Sequence, residues 1–144
     1  MSLRGNLIDR ELEKLKKIFP DLHKKDFLQL KNKNKCVQVS FLTTGKYACG
    51  HFDVLIEFPY NYPVGAPLVW VQKPRIPKNT PHVYGWDKEG HASICYLRPK
   101  KDWKLHFSSY ETALMVEIWL KTFCKWTKTS LWDWPEAGVL DHIF

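Results

Sequence analysis

The sequence predicts an α+β fold in which a helix lies at each end of an antiparallel sheet. Apolar residues recur at helical spacing near the N-terminus, alternate with polar residues in the middle of the chain, and return to helical spacing near the C-terminus. The chain has 144 residues, of which 44% are hydrophobic, and this composition is ordinary for a globular domain. We therefore expect residues 1–144 to form a single domain.

Two helices are predicted from apolar periodicity and end signals. The first spans residues 6–19 and ends at Pro20, because proline lacks the backbone N–H that a helix interior needs. Asn6 is the candidate N-cap of this helix. The second spans residues 108–127 and begins with a capping box at Ser108. Its apolar stripe is expected to pack against the sheet.

The segments between and after the helices differ in pattern. Residues 26–71 alternate with period two and predict a four-stranded antiparallel meander, with a turn at residues 44–46. Residues 72–107 are rich in Pro, Gly, His and Lys and predict one long loop, a kind of segment that commonly carries function. The tail, residues 128–144, is expected to dock as irregular structure or a short helix.

The net charge, the lengths of the apolar runs and the charged N-terminus limit which classes of function are plausible for this chain. The net charge of +7 favours an acidic partner, but no nucleic-acid motif accompanies the lysines, so nucleic-acid binding is a minor alternative. No apolar run approaches the length of about 20 residues that spans a bilayer, and the charged N-terminus lacks the apolar core of a signal peptide. We expect a cytoplasmic protein without membrane contact.

The four cysteines form no C-x-x-C pair and fit neither a zinc site nor a small disulfide scaffold. In the cytoplasm all four are expected to be thiols. Cys36, Cys49 and Cys124 lie in strand-like or helical segments and are interpreted as small buried hydrophobes. Cys95 differs because it lies inside the long predicted loop, which makes it the candidate nucleophile.

Two motifs carry a resemblance to a known superfamily. Phe58–Pro67, with the sequence FPYNYPVGAP, looks like the F-P-x-x-Y-P-x-x-x-P signature of ubiquitin-conjugating enzymes and directly follows the third predicted strand. Gly90–Leu97 is similar to the active-site segment of that superfamily and places Cys95 as its thioester-forming cysteine. Trp103 follows that cysteine at the superfamily's spacing. The resemblance implies a ubiquitin-conjugating-enzyme-like fold with a long active-site loop and, in this chain, reduced C-terminal helices.

Within the superfamily, the chain resembles the stand-alone conjugating-enzyme-like proteins of bacterial CBASS antiphage operons. These carry a Pro-His element ahead of the cysteine, as Pro81-His82 does here. The resemblance implies an acyl transferase whose Cys95 is charged with the C-terminus of a ubiquitin-like protein or of a cGAS-like cyclic-oligonucleotide synthase. It implies a role in antiviral defence and no cofactor or metal.

The chain departs from the eukaryotic pattern, because Val83–Trp86 occupies the stretch that holds the H-P-N tripeptide there. The Asn of that tripeptide supports the oxyanion in the superfamily, so classical lysine ligation is in doubt for this chain. His82 is a candidate replacement, acting as a base or an oxyanion donor, and the alternative is a structural histidine that pins the loop.

Four further residues of the loop are weaker candidates. Tyr84 and Asp87 are candidates for orienting the loop or an incoming amine. His91, like His106, is interpreted first as a solvated surface residue and second as an assistant to the cysteine. Trp103 is interpreted as a loop-packing residue.

Other function classes are either alternatives or excluded. The main alternative is an inactive adaptor of the same fold that binds a ubiquitin-like protein. No G-x-S-x-G motif or P-loop is present, so a serine hydrolase is not supported and any ATP-dependent activation requires another protein. The identity of the modifier and its acceptor, the need for an activating enzyme, and dimerisation stay open.

Overall fold

A six-stranded antiparallel sheet with helices at both ends of the chain confirms the predicted α+β class. The computed structural model describes residues 3–129 and residue 134. The helices are α1 (Leu3–Leu15), α2 (Pro99–Asp102) and α3 (Ser109–Lys128). The strands are β1 (Phe27–Gln29), β2 (Lys35–Leu42), β3 (His51–Phe58), β4 (Leu68–Lys73), β5 (Val83–Trp86) and β6 (Ala92–Ile94).

The first helix is shifted toward the N-terminus relative to the prediction. It begins at Leu3, so Asn6 lies within the helix and does not cap it, and it ends at Leu15. A turn follows, in which the Phe19 amide donates to the Leu15 carbonyl at 2.8 Å. The physical reason is Pro20, whose ring disfavours helical geometry at the residue before it, so the regular helix ends earlier.

The period-two alternation correctly predicted the central strands. Val37, Val39 and Phe41 of β2 are buried, and β2 pairs with β3 in an unbroken antiparallel register. Residues 43–50 connect these strands and contain the predicted turn, where Gly45 has a φ of 92° that favours glycine.

The four-stranded antiparallel meander predicted for residues 26–71 is confirmed as β1 to β4, but the prediction of one long loop over residues 72–107 was wrong. The segment contains β5 and β6, which form a hairpin, and the sheet order is β1-β2-β3-β4-β6-β5. The inner strand β6 pairs with β4, where Trp70 lies opposite Ser93. This long-range pairing stabilises strands of three and four residues that are too short to show a periodic pattern.

The C-terminal helix α3 confirms its predicted capping box and its apolar stripe. Glu111 accepts a 2.6 Å hydrogen bond from the Ser108 amide, and the Ser108 hydroxyl accepts from the Tyr110 amide. On the apolar side, Phe123 packs edge-on against Phe52 of β3 at a centroid distance of 6.0 Å. The core therefore lies between α3 and the sheet.

The expectation of four free thiols was wrong for two of them. Cys49 and Cys124 form a disulfide, whereas Cys36 and Cys95 are free. The Cα atoms of Cys49 and Cys124 lie 5.8 Å apart, within the range that a disulfide requires. The 43–50 connection brings Cys49 onto α3, and this proximity is invisible in a sequence that separates the two residues by 75 positions.

Two further expectations concern the tail and the membrane. The prediction for residues 128–144, including the reduced C-terminal helices, falls outside the described residues except at positions 128, 129 and 134. Trp134 packs against Trp119 and Trp126 of α3. In residues 3–129, no helix is both long and apolar enough to cross a bilayer.

Candidate active site

Cys95 lies directly after β6 and is partly exposed. Its amide donates to the His82 carbonyl at 2.9 Å, which extends the β5–β6 ladder by one step. Its thiol donates to the Leu97 carbonyl at 3.4 Å. Both the backbone and the thiol of Cys95 are therefore held by hydrogen bonds, while the residue stays partly exposed.

His82 adopts a left-handed backbone conformation with a φ of 57°, which is uncommon for a residue other than glycine. Its carbonyl accepts both the Cys95 amide and the indole N–H of Trp119, the latter at 3.2 Å. Its imidazole packs against Trp134, with ring centroids 5.1 Å apart. The backbone of His82 thus joins the cysteine segment to α3, and its ring faces an aromatic side chain.

Tyr84 is the side chain that contacts the thiol. The register between β5 and β6 shifts between Val83 and Gly85, so Tyr84 is an extra residue in a β-bulge. Bulges redirect side chains next to functional sites, and here the Tyr84 side chain lies beside the Cys95 thiol. Partial desolvation, followed by the neighbouring Cys95 thiol, raises the pKa of Tyr84 above its usual value. The hydroxyl therefore stays protonated and available as a donor.

Asp87 and His91 lie at the other end of the hairpin, in the turn between β5 and β6. The Nδ1 atom of His91 lies 2.9 Å from the Asp87 carboxylate, so His91 has a hydrogen-bond partner and is not simply a solvated residue. Partial burial tends to raise the pKa of Asp87. Hydrogen bonds from the His91 main chain and ring outweigh this effect and hold the pKa of Asp87 below its usual value. From His91 to Cys95 the strand covers about 13 Å. The structure does not bring this pair to the thiol.

The same turn contains the group of potential metal ligands found among the described residues. Donor atoms of Asp87, Glu89 and His91 lie within 4.8 Å of one another. The Asp87 carboxylate already accepts the amides of Glu89 and His91, as a turn-stabilising side chain does. These contacts account for the cluster without an ion.

Trp103 is buried beneath the segment that follows the cysteine, which supports its interpretation as a loop-packing residue. Its indole N–H donates to the Pro63 carbonyl at 2.8 Å, and its ring lies beside Tyr62 and Phe107. Tyr62 in turn packs edge-on against Phe58, 4.9 Å away between centroids. Phe58 and Tyr62 of the FPYNYPVGAP motif thus support the active-site segment from below.

Sequence reasoning missed two residues that fix the segment after the cysteine. The guanidinium of Arg98 donates twice to the Asp102 carboxylate, at 2.9 and 3.0 Å, and the Arg98 amide donates to the same group. This arrangement lowers the pKa of Asp102, with the Arg98 side chain as the main cause. The i, i+4 spacing of opposite charges was the available signal.

The remaining free cysteine among the described residues is a poor nucleophile. Cys36 is fully buried in β2. Burial, with a smaller contribution from the nearby Glu57 carboxylate, raises the pKa of its thiol to about 11. With Cys49 and Cys124 in a disulfide, Cys95 is the accessible thiol of the part of the chain that the structure describes.

The fold and the site define an α+β protein that presents one partly exposed, hydrogen-bonded thiol beside an edge hairpin. The chain belongs to the family of type II CBASS E2 proteins, whose family model matches residues 11–139. This match confirms the resemblance identified from the sequence motifs. No curated protein and no solved structure matches the chain.

Proposed function

We propose that this E2-like protein is an acyl transferase that carries its substrate as a thioester on Cys95. The observation that carries the proposal is the accessible Cys95 thiol next to the Tyr84 hydroxyl in a chain of the CBASS E2 family. The acyl group is the C-terminus of a ubiquitin-like protein or of a cGAS-like cyclic-oligonucleotide synthase. The reaction takes place in the cytoplasm as part of bacterial antiviral defence.

In the charging step, the Cys95 thiolate attacks an activated C-terminal carbonyl. The S–C bond forms, the bond to the leaving group breaks, and the proton of the thiol passes to solvent. The Tyr84 hydroxyl lies beside the sulfur and can turn toward the carbonyl oxygen, where a donor stabilises the developing negative charge.

In the transfer step, an amine attacks the thioester carbonyl. The N–C bond forms, the S–C bond breaks, and Cys95 leaves as a thiolate while the amine loses a proton to a base. A thioester is already a good acyl donor, so the protein mainly has to position the amine and support the oxyanion. We propose His82 as the group that replaces the missing Asn in this step.

The role of His82 is tested by two substitutions that separate its imidazole from its backbone. His82→Ala and His82→Gly both remove the ring, but glycine adopts the left-handed φ of 57° without a steric cost, whereas alanine has a cost of about 1 kcal/mol. If the imidazole acts in transfer, both variants are expected to slow acyl transfer about tenfold, or about 1.4 kcal/mol. The measurement is a time course of adduct formation and discharge on non-reducing gels.

Circular dichroism of both His82 variants controls for folding. Full activity of His82→Gly together with a slow His82→Ala would assign the requirement to the backbone conformation. Full activity of both folded variants would remove His82 from the reaction.

Adduct trapping in the native host tests the proposed function itself. Tagged wild-type protein is run on non-reducing gels with and without neutral hydroxylamine and, separately, a thiol reductant. We expect an adduct that both reagents cleave, because hydroxylamine attacks the carbonyl of a thioester. Mass spectrometry of the released protein then identifies the modifier.

Two results of the trapping experiment would contradict the proposal. An adduct that the reductant cleaves and hydroxylamine leaves intact is a mixed disulfide. No adduct, together with stable capture of a ubiquitin-like protein, would favour the adaptor.

A further inference from the structure

The Cys49–Cys124 disulfide lies in a part of the molecule that the proposed reaction does not use. It joins the 43–50 connection to α3 across 75 residues of sequence. Cys49 is half-buried on the connection, and Cys124 belongs to the helix face that packs on the core. A disulfide that closes so long a segment of chain stabilises the fold by restricting the conformations of the unfolded chain.

A cavity of about 340 Å³ opens beside this disulfide, with Cys124 in its wall. Residues 43, 44 and 46–48 form one side, and residues 121, 122, 124 and 125 of α3 form the other. The volume lies at the small end of the range for ligand sites. Cys124 is 1% exposed, so a small molecule in this cavity reaches its sulfur when the 43–50 connection moves away from the helix.

The cavity is basic on both sides. Lys46, Lys121 and Lys125 line it, and no acidic residue is part of its lining. The ammonium groups of Lys46 and Lys125 lie 5.5 and 5.9 Å from the centroid of the Tyr47 ring. Lys121 forms an ion pair of 3.3 Å with Glu117 outside the cavity. These charges favour an anionic ligand and raise its local concentration.

We propose that this cavity admits a small anionic thiol, which reduces the Cys49–Cys124 disulfide. The thiolate of the small molecule attacks Cys124 Sγ, a new S–S bond forms, and the protein S–S bond breaks with Cys49 leaving as a thiolate. A second molecule of the thiol attacks this mixed disulfide and releases Cys124 as a thiolate and the small molecule as its own disulfide. Two electrons pass from the two small thiols to the protein disulfide.

Two features favour this direction of attack. Cys49 lies on a connection that can move away, whereas Cys124 is fixed on a helix. The lysines of the cavity stabilise the thiolates that form, because nearby cations lower the free energy of a thiolate. Reduction then detaches the 43–50 connection from α3, which is expected to lower the melting temperature.

The experiment compares two thiols of opposite charge on the full-length chain carrying Cys95→Ser. This substitution removes the other accessible thiol, and Cys36 is buried with a thiol pKa of about 11. Glutathione is the anionic probe and cysteamine the cationic probe, used at equal thiolate concentrations. Release of protein thiols is followed over time. Glutathione is expected to react on the order of tenfold faster, and added salt is expected to reduce the difference.

A charge-matched pair of variants locates the effect. Lys46→Glu in the cavity is expected to reduce the preference for glutathione by about threefold. Lys31→Glu makes the same charge change beyond the opposite end of β2, about 25 Å away along the strand, and is expected to leave the preference unchanged.

Three results would overturn the proposal. They are equal rates for the two probes, equal effects of the two lysine variants, and titration of all cysteines as free thiols in protein purified without reductant. None of these readouts involves an acyl adduct, so failure of the proposed transferase activity would not produce them.

Discussion

Replacing Cys95 by alanine is expected to abolish every hydroxylamine-sensitive adduct, whereas serine at this position is expected to retain an adduct in a different chemical form. Alanine has no nucleophile. The serine hydroxyl forms an oxygen ester, which thiol reductants do not cleave because an alkoxide is a much poorer leaving group than a thiolate. The measurement is the same gel assay, with both variants and the wild type run beside each other.

The expected loss in Cys95→Ala is complete because the described residues offer no replacement for the thiol. Cys36 is fully buried, and Cys49 and Cys124 are joined to each other in a disulfide between the 43–50 connection and α3. The Tyr84 hydroxyl next to the sulfur has a raised pKa, so it does not supply an anionic nucleophile at neutral pH.

Cys36→Ala is the matched control, because it removes a cysteine from the same sheet without touching the candidate site. It is expected to keep the wild-type adduct. An adduct that survives in Cys95→Ala would show that Cys95 is not the carrier, and loss of the adduct in both variants would indicate a folding defect.

The sequence predicted the elements whose signals are local. The capping box at Ser108 predicted the start of α3 within one residue, since its hydrogen bonds join residues only two and three positions apart. The alternation of Val37, Val39 and Phe41 predicted β2, because one face of that strand is buried along its whole length. Cys95 emerged for a related reason, since a cysteine inside a polar, proline-rich segment has no core to fill.

The features that sequence reasoning missed depend on contacts between distant residues. The strand β6 has three residues, all buried, and exists because it pairs with β4. The contact between Tyr84 and Cys95 requires a β-bulge, and no periodic pattern encodes a single extra residue. The Cys49–Cys124 disulfide likewise has no local signal.

A buried carboxylate links the N-terminal helix to the base of the active-site segment. Glu11 of α1 is 1% exposed, and one of its oxygens accepts both the Tyr62 hydroxyl at 2.6 Å and the Ser109 amide at 2.9 Å. Its other oxygen accepts from Arg10 at 3.2 Å. Burial, followed by the charge of Glu11, raises the pKa of Tyr62 above its usual range, so its hydroxyl remains a donor.

Glu11→Ala is expected to lower the free energy of unfolding by about 4 kcal/mol, because it leaves the Tyr62 hydroxyl and the Ser109 amide buried without their charged acceptor. Glu11→Gln keeps one oxygen acceptor and the side-chain volume, so about 2 kcal/mol is expected. Urea denaturation followed by tryptophan fluorescence measures both losses.

Glu13→Ala is the matched control, since it removes the same charge from an exposed position of the same helix and is expected to change stability by less than about 0.5 kcal/mol. Equal denaturation midpoints for Glu11→Ala and Glu13→Ala would contradict the structural role of the buried carboxylate. Because Tyr62 packs beside Trp103, the Glu11 variants are also expected to loosen the segment that follows Cys95. Adduct formation in these variants should therefore fall only under conditions in which the protein begins to unfold, which distinguishes a supporting residue from a catalytic one.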